Sequence, residues 1–303
     1  MKPSYLALAE SGELARRAET LREKYACCDL CPRLCRANRL DGKIGYCKAG
    51  TLASVASVNP HHGEEPPITG TRASGTVFFD HCTLRCVYCQ NFRISQGDSQ
   101  HEISDAELAE AYLELQRKGC HNLNLVTPTH YLPSIVSALC LAVKQGFELP
   151  IVYNSSGYER VETLQLLDGI VDIYLPDCKY SDPKKAAQYS DAPNYMEANL
   201  TALREMHRQV GRLLLDDDDV ALRGLLVRHL VLPGAAEDSI KVLQMLEDSV
   251  SPTLNVSVMS QYFPTHRAKE FPPLDRRVSR EEYERVVEWM AQSTLRGFVQ
   301  PLG

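Results

Sequence analysis

No stretch of this chain approaches the roughly 18 to 20 consecutive apolar residues that a bilayer-spanning helix requires, so no membrane span is expected. The first residues, MKPSYLALAESGELARRAE, lack the apolar core of a secretory signal and run quickly into Glu and Arg. The expected location is the cytoplasm. Internal repeats and low-complexity tracts are missing too. So is any basic stripe: the formal net charge is −6, and Lys and Arg are scattered apart from pairs such as Arg16-Arg17 and Arg276-Arg277. Proteins that grip a phosphate backbone concentrate those residues, which argues against nucleic acid as a partner.

Cysteine, by contrast, is abundant, with 11 residues in a chain of 303. In a reducing compartment an odd and high count points to metal ligands and buried thiols before disulfides. The 44% hydrophobic content is enough for a full core. Residues 1–66 read as an N-terminal module: a short amphipathic helix around Glu13 to Lys24, a Cys-rich segment, and a connecting loop NPHHGEEPPITG. The His61-His62-Gly63-Glu64-Glu65 part of that loop has no metal-ligand spacing and reads as a rim element.

Residues 67–303 alternate strand and helix. The expected strands are TVFFD (76–80), LNLV (123–126), PIVYN (150–154), VDIYLP (171–176), GLLVRHLVL (224–232) and TLNVSVMS (253–260). Between them lie helices, one opened by a capping box of Ser104 and Glu107, one from Glu159 to about Asp168, and a last one capped by Ser279 and Glu282. Six βα units in succession imply a parallel sheet with right-handed crossovers, doubly wound or a full or partial barrel. In each case function gathers at the C-terminal ends of the strands.

At the end of the first of those strands comes DHCTLRCVYCQN, whose triplet Cys82, Cys86 and Cys89 begins two residues past the strand. Three thiols within eight residues are too concentrated for ordinary core packing. Soft thiolates select an iron–sulfur cluster, zinc or copper(I). A structural zinc site needs a fourth ligand, and His81 is a candidate for it.

CTLRCVYCQN resembles the CxxxCx(aromatic)C signature of the radical S-adenosylmethionine (SAM) enzymes, and Gln90-Asn91 is common in their branch that activates glycyl radical enzymes. The six βα units match the partial (β/α)6 TIM-like barrel of that family, and the resemblance covers about residues 70–300. It implies that Cys82, Cys86 and Cys89 hold three irons of a [4Fe–4S] cluster whose fourth iron binds SAM. Reduction then cleaves SAM to a 5′-deoxyadenosyl radical that abstracts hydrogen from a substrate. A glycyl radical enzyme or other peptide is the implied substrate, and a flavodoxin or ferredoxin the implied electron donor. The aromatic residue of the motif, Tyr88, would lie near adenine or shield the cluster.

Further SAM contacts follow position by position. The family's Gly-Gly-Glu on the second strand is replaced here by Thr127, Pro128, Thr129 and His130, with Thr127 or Thr129 as the substitutes. Asn154 and Ser155 end the third strand where the family places polar contacts to SAM. Asp177 and Lys179 resemble the Asp-x-Lys of pyruvate formate-lyase activating enzymes. Arg228, in RHLVLPG, is implied at substrate or ribose, and His266, with Gln261, at the mouth near SAM.

The upstream cysteines Cys28, Cys31, Cys35 and Cys47, with Cys27 beside them, form a candidate second metal site for zinc or a second cluster. The extra clusters of most activating enzymes are inserted after the main triplet, so this placement departs from the pattern. Cys120, Cys140 and Cys178 read as ordinary buried cysteines. Two alternatives remain open: a radical SAM enzyme acting on a small molecule or RNA, and a non-catalytic zinc-binding protein.

Overall fold

The computed structural model describes residues 2–98 and 101–302. Two N-terminal helices come first, α1 (Tyr5–Glu10) and α2 (Glu13–Glu23), the second close to its expected span. A loop carrying the upstream cysteines leads to β1 (Ala53–His61), then α3 (Pro66–Thr69), β2 (Ser74–Phe79), α4 (Phe92–Ser95), β3 (Glu102–Ile103) and α5 (Asp105–Arg117). Next come β4 (Leu123–Val126), α6 (Leu132–Val143), β5 (Ile151–Ser155), α7 (Val161–Gln165), β6 (Ile173–Pro176), α8 (Pro183–Ser190) and α9 (Tyr195–Val210). The remainder is β7 (Leu214–Leu215), β8 (Ala221–Leu230), α10 (Ala236–Ser249), β9 (Asn255–Met259), α11 (Arg280–Gln292) and β10 (Arg296–Val299). Among the described residues no helix is long and apolar enough to cross a membrane.

All six expected strands are present, as β2, β4, β5, β6, β8 and β9, and each pairs in parallel with its neighbour. The full order is β10-β9-β8-β6-β5-β4-β2-β1-β3, with β7 hairpinned onto β8. This is a mostly parallel open sheet with the architecture of a partial TIM-like barrel. Both capping boxes form, Ser104 with Glu107 and Ser279 with Glu282.

Three expectations need correction. The connecting loop is partly ordered: Asn59–His61 belong to β1, which lies antiparallel to β2, and Pro66–Thr69 form α3. The apolar end GFVQP contributes a seventh parallel strand, β10 on β9. The helix expected from Glu159 to Asp168 is confined to α7, because Glu159 turns inward instead of starting it.

Alternation along each strand sorts side chains to two faces. Leu123, Leu125, Ile151, Tyr153, Tyr174, Leu225 and Val227 belong to the outer core, shared with residues of α5, α6, α9 and α10. Val152, Ile173, Leu175 and Leu226 face the interior, where Ile68 of α3 packs among them. The short helix α3 thus plugs the end of the barrel at which the strands begin. By the same alternation Asn154 and Arg228 point inward.

Gly224 shows how tightly β8 is held. Its φ is +127°, and a Cβ there would stand 2.4 Å from the Arg212 carbonyl oxygen and 2.5 Å from Leu213 Cα. Replacing Gly224 with Ala is expected to lower unfolding stability by about 1–3 kcal/mol, read as a lower denaturant midpoint. An unchanged midpoint would show that the strand tolerates the side chain.

Candidate cluster and cofactor site

The loop carrying the three cysteines leaves the sheet at Asp80, which is fully buried and held on both sides. Its Oδ2 accepts from Ser54 Oγ at 2.6 Å and meets His101 Nδ1 at 3.1 Å, and its carbonyl meets His130 Nε2 at 2.8 Å. His81 follows in the left-handed region, φ 70°, with Nδ1 2.8 Å from Tyr131 OH. That contact commits His81 to the protein interior; burial also pushes its pKa down.

Each of the three thiols has its own hydrogen-bond partner. Cys82 Sγ accepts from the Leu84 amide at 3.4 Å, Cys86 Sγ lies 3.0 Å from Ser190 Oγ, and Cys89 Sγ lies 3.2 Å from Ser95 Oγ. Burial pushes the Cys82 thiol up to about 12, and the charges of Cys86 and Cys89 add to the effect. Cys86 is raised by burial as well, with the Lys179 ammonium opposing. Such thiols ionise when a metal takes the proton's place.

No three His, Cys, Asp or Glu side chains among the described residues converge on one point fit for a single ion. A tetrahedral zinc with Zn–S of about 2.3 Å would draw its sulfurs to within roughly 4 Å of one another. A cubane asks for less, because each thiolate takes a different iron and the sulfurs stay apart. Three neighbouring thiol donors, each with a hydrogen-bond partner of its own, fit the cluster.

Tyr88 is buried in an aromatic layer beneath the loop with Tyr158, Tyr180, Tyr189, Tyr195 and Tyr262. Its ring meets Tyr262 edge-on at 5.9 Å, and its hydroxyl lies 2.6 Å from that of Tyr180. Tyr180 in turn reaches Ser190 Oγ at 2.6 Å, so a hydrogen-bonded chain runs from Tyr88 to the Cys86 sulfur. Tyr88 is thus packed among tyrosines on the side of the loop that carries Cys86.

Opposite the loop, the strand ends bring several expected residues together. Asp177 Oδ2 is 2.6 Å from Lys179 Nζ, and its Oδ1 accepts from Arg228 Nε at 3.0 Å. Arg228 Nη2 donates to Asn154 Oδ1 at 2.6 Å. Burial works against every charge in this group. Lys179 and Arg228 outweigh it at Asp177 and keep that carboxyl below its usual range, while Asp177 and Cys86 keep Lys179 above its own. Ser155 Oγ accepts from the Gly157 amide at 3.1 Å. Gly157 must be glycine: its φ is +71°, and a Cβ would stand 2.2 Å from both Asn199 Nδ2 and the Asp177 carbonyl oxygen.

Other expected residues lie elsewhere. Thr127 is half-buried with φ 59°, its amide donating to the Asn154 carbonyl. Thr129 is committed to buried Glu159, donating to Oε1 at 2.7 Å, while Tyr153 OH donates to Oε2 at 3.2 Å. His266 stacks on Phe92 at 4.7 Å, over the turn that follows Cys89. Gln261 meets that turn as well, its carbonyl accepting from Gln90 Nε2 at 3.3 Å.

The rim reading of the His-Gly-Glu loop is overturned for its two glutamates. Glu65 is buried and accepts from Ser257 Oγ at 2.8 Å. Glu64 reaches Asn154 Nδ2 at 3.4 Å and Arg228 Nη1 at 3.6 Å. Both enter the barrel beside the α3 plug. Only their carboxylates, next to Pro66 and Pro67, signalled a role, and sequence spacing gives no distance to β5 or β8. Asn124, on the same inward face by its register with Val152, is fully buried with neither amide atom partnered.

The Radical SAM superfamily model matches residues 76–215. An uncharacterised protein of Methanocaldococcus jannaschii is 31% identical over 284 residues, which cover 90% of this chain and 76% of that one. The chain belongs to the radical SAM superfamily. Solved structures share its fold: Streptococcus suis SuiB bound to the precursor peptide SuiA, at TM-score 0.51 and 10% identity over 73% of this chain and 47% of that one; and anSMEcpe with bound AdoMet and Cp18Cys peptide, at 0.50 and 9% over 70% and 56%. The chain thus spans about half the length of these solved structures. A radical SAM enzyme uses a [4Fe–4S] cluster and SAM, and membership sets aside the non-catalytic zinc reading of the whole chain.

Glu159 supplies a test of the polar layer around Thr129. Burial lifts its carboxyl from the ordinary 4.5 to about 7, against the hydrogen bonds from Thr129, Ser155 and Tyr153. The folded state therefore holds the proton more tightly than the unfolded chain, and stability falls as pH rises from about 4.5 through about 7. Glu159→Gln is expected to flatten that decline, worth at most about 3 kcal/mol, in denaturant titrations at pH 5 and pH 8. An equal slope in both proteins would show that Glu159 is not its source.

Proposed function

We propose that this radical SAM enzyme abstracts hydrogen from a polypeptide, in the manner of an activating enzyme for a glycyl radical enzyme, with Cys82, Cys86 and Cys89 as the cluster ligands. The observation that carries the substrate class is an open pocket of about 490 Å3 immediately past the cluster loop, lined by Gln90, Gln261, Phe263, Arg277 and Gln300 among others. Phe263 is 40% exposed there. An open, mixed polar and apolar mouth suits a chain segment better than a small molecule, which is ordinarily held in an enclosed pocket. SuiB, of the same fold, is bound to a precursor peptide.

When bound, the reduced cluster and SAM supply a 5′-deoxyadenosyl radical. The residues of this chain orient SAM and keep water out. Lys179 and Arg228 are the cations suited to its carboxylate. Glu64 and Asp177 are the carboxylates suited to its amino group, with Glu64 rising from the plug in place of the absent Gly-Gly-Glu. Thr127, Asn154 and Ser155 supply neutral polar contacts, and His266 borders the mouth. Tyr88 and its aromatic neighbours shield the cluster. A flavodoxin or ferredoxin class protein supplies the electron, and the reading includes a second metal centre, iron–sulfur or zinc, at the N-terminal cysteines.

Incubated anaerobically with SAM, reductant and a glycyl radical enzyme, the reconstituted protein is expected to place a carbon-centred radical on that partner, seen by electron paramagnetic resonance. One 5′-deoxyadenosine should form per radical. Turnover stimulated by small molecules and indifferent to polypeptides would contradict the substrate class. The C86A/C89A double variant should lose 5′-deoxyadenosine formation altogether while keeping its fold; residual wild-type turnover would dismiss these ligands.

A further inference from the structure

Outside the radical site, the N-terminal segment carries Cys28, Cys31, Cys35 and Cys47 and one buried arginine, Arg39. Arg39 is 4% exposed. Its Nη2 donates to Cys28 Sγ at 3.1 Å and lies 3.6 Å from Cys47 Sγ, so one nitrogen reaches both sulfurs. Its Nη1 donates to the His130 and Gly50 carbonyls at 2.7 and 3.3 Å, and its Nε has no partner. A guanidinium cannot shed its proton in a protein. A buried charge needs a counter-charge. Among the described residues no carboxylate pairs with Arg39; the groups that favour its charge are Cys47, Cys28 and Tyr25. The groups placed to supply a counter-charge to Arg39 are therefore the sulfurs of Cys28 and Cys47.

The cysteines are arranged to carry it together. Cys28, Cys31 and Cys47 are all buried, and Cys35 Sγ lies 4.0 Å from the Cys28 carbonyl oxygen. Gly45 lets the loop before Cys47 close over Cys35, since a Cβ there would stand 2.4 Å from Cys35 Sγ. Leu34, Arg36 and Lys48, which flank Cys35 and Cys47, all have positive φ. As at the downstream triplet, no three sulfurs meet at a point fit for one ion.

We propose that Cys28, Cys31, Cys35 and Cys47 bind an iron–sulfur cluster of their own as thiolates, and that Arg39 is its buried counter-charge. Four thiol protons leave as two ferrous and two ferric irons and four sulfides assemble on the thiolates, so no further oxidant is needed and the resulting [4Fe–4S] centre is anionic, which neutral thiols would not be. Spread sulfurs favour a cluster over zinc, which requires convergence. The centre lies against the loop of the radical site. Arg33 Nε donates to the Thr83 carbonyl at 2.9 Å, and His130, whose carbonyl Arg39 holds, contacts the Asp80 carbonyl. The inference rests on the second-centre part of the reading above and is indifferent to the substrate.

The test uses the full chain reconstituted anaerobically with ferrous and ferric iron and sulfide. The wild type should hold about eight irons, the C82A/C86A/C89A variant about four, and that variant with C31A and C47A added almost none. In the triple-Ala background, Arg39→Met should move the remaining cluster's midpoint potential to more negative values, because a nearby positive charge favours reduction; Arg39→Lys should restore much of it. Should Arg39→Met fail to fold, the Lys variant and the iron counts still decide. A triple-Ala protein that folds but binds zinc alone, or no metal, overturns the proposal even if the wild type cleaves SAM. A potential unmoved by Arg39→Met, with iron retained, overturns the role of Arg39. Iron retained by the triple-Ala protein while the wild type cannot cleave SAM supports this centre and counts against the radical reading.

Discussion

Arg228 is a permanent cation set inside a barrel, and the arrangement of the interior follows from the need to balance it. Asp177 from the end of β6, Asn154 from β5 and Glu64 from beside the α3 plug all meet the one guanidinium. Water cannot screen these charges well at such depth, so each group is held in place by the others. Asp177 is thereby fixed as an anion and Lys179 as a cation, whose charge Cys86 also favours. A barrel lined only with the apolar residues of its lower half could bury as much surface, but it would offer nothing to a zwitterionic methionyl group.

A second constraint acts on the cluster loop. Parallel strands all end at one rim, which is where the polar groups of β5, β6 and β8 are delivered. The loop after β2 must then be stiff enough to present three sulfurs across that rim. Buried Asp80, the left-handed His81 and the tyrosine layer under Tyr88 provide the stiffness. The N-terminal module adds to it from behind, through Arg33 on the Thr83 carbonyl and the Arg160–Asp29 ion pair.

Much of this was legible in the residues. The six parallel strands announce themselves as short β-branched runs, and both capping boxes are readable from Ser-x-x-Glu alone. The triplet is local, so its spacing carried its meaning. What escaped depends on tertiary placement. β10 is four mostly exposed residues including Gly297, with no periodicity to read. β1 contains Pro60, which reads as a break, yet it pairs across six register positions with β2. Glu64 and Glu65 looked like a solvated loop because nothing local shows that Pro66–Thr69 plug the barrel. Arg39 was invisible as a partner of Cys28 and Cys47, since only the folded module reveals that it has no carboxylate.

With Cys82, Cys86 and Cys89 as ligands, one iron of the cluster would be left without a protein side chain, and SAM would bind there. Electron–nuclear double resonance on the reduced protein with SAM labelled by 15N at its amino group and 17O at its carboxylate reads that contact directly. Hyperfine coupling to both labels, lost in the C82A/C86A/C89A protein, is expected from SAM bound at that iron. A reduced cluster in the wild type that shows coupling to neither label would contradict it.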